Sequence, residues 1–240
     1  MMEQFARTAL LIGREGVQRL QAARVAVFGI GGVGGHATEA LVRSGIGTVD
    51  LFDDDTVCLS NLNRQLIATH DAIGRPKVEV MAERLKSINP EARVNAHQMF
   101  YMPERAEEVD FSAFDYILDC IDTVTAKLDL IVRANALGVP IISAMGAGNR
   151  LDPTQLRVGD IYETQSCPLA RVMRHELRKR GIPALKVVYS TEPALSPRAD
   201  EAAPNAEPSP RRATPGSIAF VPSAMGLIMA SVVVRDLLNG

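Results

Sequence analysis

Gly29, Gly31, Gly32 and Gly34 lie in the run Val25-Ala26-Val27-Phe28-Gly29-Ile30-Gly31-Gly32-Val33-Gly34, and a second apolar run ends in Phe52-Asp53-Asp54-Asp55. That pairing marks a nucleotide-binding strand-turn-helix unit. Gly29 makes the tight turn, Gly31 with Gly32 beside it brings backbone N–H groups to phosphate, Gly34 lets a helix pack close to the strand, and Asp53 accepts from ribose hydroxyls. Such a turn alone serves NAD, FAD, S-adenosylmethionine and ATP folds alike. Further along come Asn61, Arg64 and Gln65, then Lys77, then Asp119-Cys120-Ile121-Asp122. A hydride-transfer enzyme has no need of this series. Arg64 and Lys77 are the cations required by a triphosphate carrying roughly four negative charges, and an acid after a later strand, Asp122, suits its magnesium. The reading is therefore ATP with Mg2+.

Positioning these groups calls for alternating strands and helices, which favours a mostly parallel sheet with helices on both faces. The patterning predicts a short helix at 14–21, strands at 24–29 and 48–53, and a helix at 35–44. A loop holding Asn61 to Gln65 follows, then a helix at 76–88, a strand near 93–97, a helix near 103–109 and a strand at 115–119. A helix at 124–137 and a strand at 139–144 complete the regular part. The fold class expected is α/β, Rossmann-like and doubly wound, with a C-terminal extension of the sheet. Residues 1–240 are expected to form one domain, with a nucleotide-binding core at about 20–150 and a substrate-side part at 151–240. The polar, proline-rich stretch 198–216, with Arg211-Arg212, reads as a flexible loop.

Composition fits an ordinary soluble enzyme. Hydrophobic residues make up 47% of the 240, enough for a sizeable core, and three cysteines suit a reducing cytoplasm. The first residues lack a charged-then-apolar export signal. The apolar stretch 218–238 contains Pro222, Ser223, Ser231, Arg235 and Asp236, so a buried helix is expected there, not a membrane span. A formal net charge of −2 excludes a general basic coat for nucleic acid, so any RNA-binding surface must be local. The run Arg171, Arg174, Arg178, Lys179 and Arg180 on a predicted helix is either a solvated face or such a surface. The four histidines show no ligand spacing. Cys58 and Cys120 are expected to be buried, and Cys167 to be a small residue in a loop or at a helix start.

Taken together, these motifs resemble the ubiquitin-activating-type (ThiF/MoeB-like) enzymes that adenylate a carboxylate. The resemblance is carried by Arg7, residues 29–34, Asp53, Asp55, Asn61, Arg64, Gln65, Lys77 and Asp122. The second half is most similar to the bacterial tRNA threonylcarbamoyladenosine dehydratase branch, through Gly146-Ala147-Gly148-Asn149-Arg150-Leu151-Asp152-Pro153-Thr154, Val158-Gly159-Asp160-Ile161, Cys167-Pro168-Leu169-Ala170-Arg171 and Val188-Tyr189-Ser190-Thr191-Glu192. What the resemblance implies is an ATP-dependent enzyme that joins the threonyl carboxylate of threonylcarbamoyladenosine in tRNA to AMP, then closes a ring with net loss of water. By the same resemblance Arg7 reaches the triphosphate of a neighbouring subunit, implying a homodimer. Asp122 holds magnesium or orients the attacking group, and Asn61 contacts a phosphate or the metal's shell. Asp55 is balanced between metal contact and loop structure, and Asp119 is expected to be structural. Whether desulfurase or sulfur-acceptor proteins work alongside, and whether a monovalent cation orders residues 146–153, stays open.

Two rival readings remain. An activator of a small sulfur-carrier or ubiquitin-like protein commonly holds zinc through two Cys-x-x-Cys pairs, whereas Cys58, Cys120 and Cys167 are too few and too widely spaced. A NAD-binding oxidoreductase leaves Asn61 to Lys77 without a purpose.

Overall fold

The computed structural model describes residues 3–196 and 215–239. Its first strand, β1 (Arg24–Phe28), is buried along nearly its whole length, the pattern of a central strand covered on both faces. It pairs in parallel with β2 (Thr48–Phe52) on one side and with β4 (Tyr116–Asp119) on the other. Beyond β2 lies β3 (Arg93–His97); beyond β4 lie β5 (Ile141–Ala144) and β7 (Lys186–Ser190), all parallel. The antiparallel edge strand β6 (Leu156–Asp160) completes a seven-stranded sheet of order β3-β2-β1-β4-β5-β7-β6. The strand order reverses between β1 and β4, and in open parallel sheets ligands bind in the crevice beyond the carboxyl ends of the strands at such a reversal.

Helices cover both faces. On one side α2 (Gly34–Ser44), α3 (Lys77–Ile88) and the C-terminal α6 (Phe220–Asn239) pack over a core that includes Val25, Val27, Leu41, Leu51, Met81, Met225 and Met229. On the other, α4 (Val124–Leu137) packs with Phe28, Phe52 and Phe111, whose rings stack, Phe28 on Phe52 at 4.3 Å between centroids. A third cluster joins α4 to α5 (Pro168–Lys179) through Ile131, Ala170, Met173, Leu177 and Val187. By length and composition α6 is apolar enough to cross a membrane. Its Val221, Met225, Met229 and Val233 are nevertheless buried in this core, as expected for residues 218–238.

Several boundaries differ from the sequence reading. The N-terminal helix α1 runs from Ala6 to Ala22, starting earlier than expected, with a kink at Gly13, whose φ of 73° lies in the left-handed region. The segment near 103–109 is 3-10 helix (Pro103–Glu108), entered through proline. Strands β6 and β7 supply the C-terminal extension of the sheet. The expected flexible loop at 198–216 lies outside the described residues except for Pro215 and Gly216.

Candidate active site

The turn after β1 is dictated by crowding. Gly29 has φ 91°, and a Cβ there would lie 2.7 Å from the carbonyl oxygen of Cys120; one on Gly34 would fall 1.8 Å from the carbonyl oxygen of Gly29. Neither position accepts a side chain. Gly31 differs, since a Cβ would meet only the Gln65 amide at 3.9 Å and would instead fill the cleft over the turn. This cleft, of about 520 Å³, opens at the carboxyl ends of β1, β2 and β4. Gly29, Gly31, Gly32, Asp53, Asp55, Asn61, Arg64, Gln65, Lys77 and Asp122 all line it. Two predicted residues do not: Gly34 is confined to packing beneath the turn, and Arg7 sits exposed on the first segment of α1.

Asp53 at the end of β2 has a structural task of its own. It accepts the Ile30 N–H at 2.6 Å and the Asp55 N–H at 2.9 Å, so it holds the glycine turn against the second strand. Burial pushes its carboxyl above the ordinary aspartate value, opposed by the Lys77 ammonium and by the two N–H donors. Lys77, at the first position of α3, is only 4% exposed; its Nζ lies 2.5 Å from Asp55 and 3.8 Å from Asp53. Asp54 also reaches the cleft, and Asp53, Asp54 and Asp55 bring carboxylate oxygens within 4.8 Å of one another, a hard donor set suited to magnesium. Across from them Asp122 is exposed, accepting only from the Thr123 hydroxyl at 3.5 Å among the described residues.

The loop between β2 and α3 presents the remaining polar groups. Asn61 spends its side-chain oxygen on the Cys58 N–H at 3.2 Å, which leaves its amide nitrogen to donate. Arg64 donates to the Ser60 carbonyl and to the Asn63 side chain, both at 2.9 Å, and pairs with no carboxylate among the described residues. Gln65 is 7% exposed, and its Oε1 has no partner among the described residues. A buried acceptor without a partner at the wall of a cleft is a place for a ligand's donor.

Sequence reasoning missed an apolar wall, Met99, Phe100 and Tyr101, contributed by the segment after β3, and a rim made of Ala147, Gly148, Pro215 and Ser217. Asn149 organises that rim. Its side-chain oxygen accepts the Gly216 N–H at 2.7 Å, its N–H donates to the Gly216 carbonyl at 2.7 Å, and its own carbonyl accepts from Leu195 at 2.9 Å. Asn149 itself has φ 58°. Missed too was Lys127, fully buried on α4, which pairs with Asp119 at 2.9 Å and donates to the carbonyls of Ala144 at 2.9 Å and Ile121 at 3.1 Å. Asp119 also accepts from the buried Ser143 hydroxyl. Asp119 is therefore structural, as expected, through an ion pair joining β4, β5 and α4; the one sign of it in the sequence is a lysine amid the apolar residues of α4.

One cysteine expectation needs correction. Cys58 is exposed, because the chain leaves β2 for the surface there and its Sγ faces the Ser60 hydroxyl at 3.2 Å. Cys120 lines the cleft; burial and the neighbouring Asp119 push its thiol well above the ordinary range, so it offers no thiolate. Cys167 is the buried residue preceding α5, a helix start as expected.

A glycine turn at the reversal point of a doubly wound sheet, faced by an arginine, a buried lysine and a group of carboxylates, defines a nucleotide-binding α/β protein with a cleft made for a polyphosphate. Within that class the chain belongs to the ThiF family, whose model matches residues 5–239. It is 44% identical to the tRNA threonylcarbamoyladenosine dehydratase of Bacillus subtilis (strain 168), across the whole of this chain and 96% of that one. Among solved structures it is similar to the E. coli tRNA N6-threonylcarbamoyladenosine dehydratase in complex with AMP, with a TM-score of 0.89 and 34% identity over 99% of this chain and 95% of that one. The complex of the same enzyme with ATP superposes with a TM-score of 0.85 at the same identity and coverage.

Proposed function

We propose that this protein is an ATP-dependent dehydratase acting on threonylcarbamoyladenosine in tRNA. The observation that carries the reading is the convergence of Asp53, Arg64, Lys77 and Asp122, from four separate stretches of chain, on one cleft beside the glycine turn. Full-length similarity to enzymes named for that reaction supports it.

Adenylation brings a carboxylate to the α-phosphate of ATP and expels pyrophosphate, so like charges must be screened and the leaving group stabilised. Arg64 and Lys77 would carry the phosphates, the N–H groups of the glycine turn would cradle them, and Asp53 would accept from the ribose. The unpartnered Gln65 oxygen would take a donor of the nucleotide, and Met99 to Tyr101 offer an apolar wall to the base. Magnesium fits the oxygen donors of Asp53, Asp54, Asp55 and Asp122, and when bound it would neutralise phosphate charge. The threonyl carboxylate oxygen bonds to the α-phosphorus as the bond to pyrophosphate breaks. A nucleophile of the same modified side group then attacks the activated carbonyl carbon and loses its proton. AMP leaves with the former carboxylate oxygen, so the nucleoside has lost one water. We further propose that Arg7 serves the cleft of a second copy in a homodimer, that residues 1–240 act as a single ATP-binding domain, and that the protein works in the cytoplasm.

Nucleoside mass spectrometry of threonylcarbamoyladenosine-bearing tRNA, after incubation with the protein, ATP and magnesium, tests the proposal. Loss of one water dependent on ATP is expected. An unchanged nucleoside together with AMP transfer onto a carrier-protein C-terminus would move the function to carrier activation.

A further inference from the structure

A modified nucleotide entering a cleft of about 520 Å³ leaves the body of its tRNA outside, and the body must be held somewhere on a chain whose formal net charge is −2. We infer that the outer face of α5 grips the phosphodiester backbone beside the modified nucleotide, an assignment that rests on the tRNA reading above.

The sequence of α5 sorts cleanly by face. Ala170, Met173 and Leu177 are buried against Ile161, Ile182 and Leu185, which turns Arg171, His175 and Arg178 outward with Arg174 at the border. Residues 168–180 carry five cations, Arg171, Arg174, Arg178, Lys179 and Arg180, against the single carboxylate of Glu176. Glu176 is already engaged by Lys179 at 3.0 Å and Arg180 at 2.7 Å. Arg171, Arg174 and Arg178 pair with no carboxylate among the described residues. Their spacing of three and four residues puts them on one side of the helix, over a rise of about 10 Å, comparable to about three phosphates of one strand.

Two of the three are held in place. Arg178 lies over the Tyr162 ring at 5.0 Å, and Tyr162 is itself fixed by a hydrogen bond to the Ile182 carbonyl at 2.6 Å. Arg174 donates to the Thr164 carbonyl at 2.9 Å. A stacked guanidinium keeps its edge N–H groups for a phosphate and loses little freedom on binding one.

The strip also starts at the right place. Arg150, 4% exposed, donates to the Ser166 carbonyl at 3.1 Å, and the Cys167 Sγ sits 3.6 Å from where a Cβ on Gly146 would lie. The N-terminal end of α5 is thus fastened to the loop whose Ala147 and Gly148 form the cleft wall. The cations follow within a helix about 18 Å long.

The test compares the wild-type protein with an Arg171→Gln/Arg178→Gln double variant, neither residue lining the cleft. The readouts are the KM for tRNA and kcat of the ATP-dependent water loss, and the salt dependence of tRNA binding without ATP. Expected are a rise in KM of about tenfold or more, an unchanged kcat at saturating tRNA, unchanged ATP binding, and a log–log salt slope flatter by about 1.5. The Arg171→Lys/Arg178→Lys variant should keep the wild-type slope. Unchanged KM and slope in the glutamine variant would overturn the assignment. So would intact tRNA binding combined with lost binding to phosphatidylserine vesicles, which would give the face to a membrane surface. A wild-type protein that binds tRNA with the predicted dependence on both arginines but removes no water would overturn the proposed reaction and leave this surface standing.

Discussion

Lys77 and Asp122 face the same cleft under different constraints. Lys77 is buried and already engaged by Asp55, so a triphosphate held there as proposed would compete for its ammonium, whereas Asp122 is exposed and has few partners among the described residues. Replacing either with alanine should lower ATP-dependent pyrophosphate release by about 100-fold or more, as removal of a group that stabilises developing charge does. Stability should separate the two. Lys77→Ala leaves Asp53 and Asp55 facing one another without their cation and should cost about 1–3 kcal/mol, while Asp122→Ala should stay within about 0.5 kcal/mol of wild type in urea denaturation. Full pyrophosphate release by either variant would dismantle the site map. At this scale the sequence was informative about which residues meet in the cleft, because the residues proposed to bind phosphate follow one another along the chain around one turn. It did not reveal Lys127, whose partners Asp119 and the Ile121 and Ala144 carbonyls come together only when β4, β5 and α4 assemble.

Two contacts between elements hold the frame of the cleft. Gly226 brings α6 against α2 so closely that a Cβ would lie 2.3 Å from the Val33 carbonyl oxygen and 2.9 Å from the Ala37 nitrogen. Gly226→Ala should therefore destabilise by about 3 kcal/mol, and because Pro222 of the same helix lines the cleft it should also weaken ATP binding; a denaturation midpoint and an ATP titration read the two effects. Asp50 on β2 ties three strands. It accepts from Arg24 of β1 at 2.8 Å and from Asn95 and the His97 ring of β3, each at 3.0 Å. Burial pushes its carboxyl up, but Arg24, His97 and Asn95 together hold it below the ordinary aspartate value. A depressed carboxylate contributes stability above its unfolded pKa of about 4, and that contribution is lost as pH falls through the lower folded value. Asp50→Asn should thus be about 2 kcal/mol less stable than wild type at pH 7, with the gap narrowing below about pH 4; equal gaps in urea melts at pH 7 and pH 3 would contradict this. The strands and helices around the glycine turn were legible because their apolar periodicity is strong. Gly13 and Pro103 altered the local geometry of α1 and of the segment near 103–109 while leaving the hydrophobic pattern intact, so the pattern alone misjudged both.

Arg7 belongs to the scale of the assembly. It is exposed, outside the cleft of its own chain, on the stretch of α1 before the kink, close in sequence to Leu10 and Leu11, which are 86% and 87% exposed. If Arg7 completes the cleft of a second copy, Arg7→Ala and Asp122→Ala proteins, each inactive alone, should regain about a quarter of wild-type activity when co-assembled at equal amounts, since random pairing makes half the molecules mixed dimers with one intact site. Absence of rescue, with mixed dimers present by mass spectrometry, would confine Arg7 to its own subunit. One feature of the rim reaches further. Leu195 and Gly216 both hydrogen-bond to Asn149, so two residues far apart in the sequence meet at one residue of the cleft rim. Loop-closure entropy grows only slowly with length, roughly 0.6 kcal/mol per doubling. Because Asn149 fastens both Leu195 and Gly216, a change in the length of the sequence that joins them would add little cost from bringing its ends together, and the rim would keep its anchor.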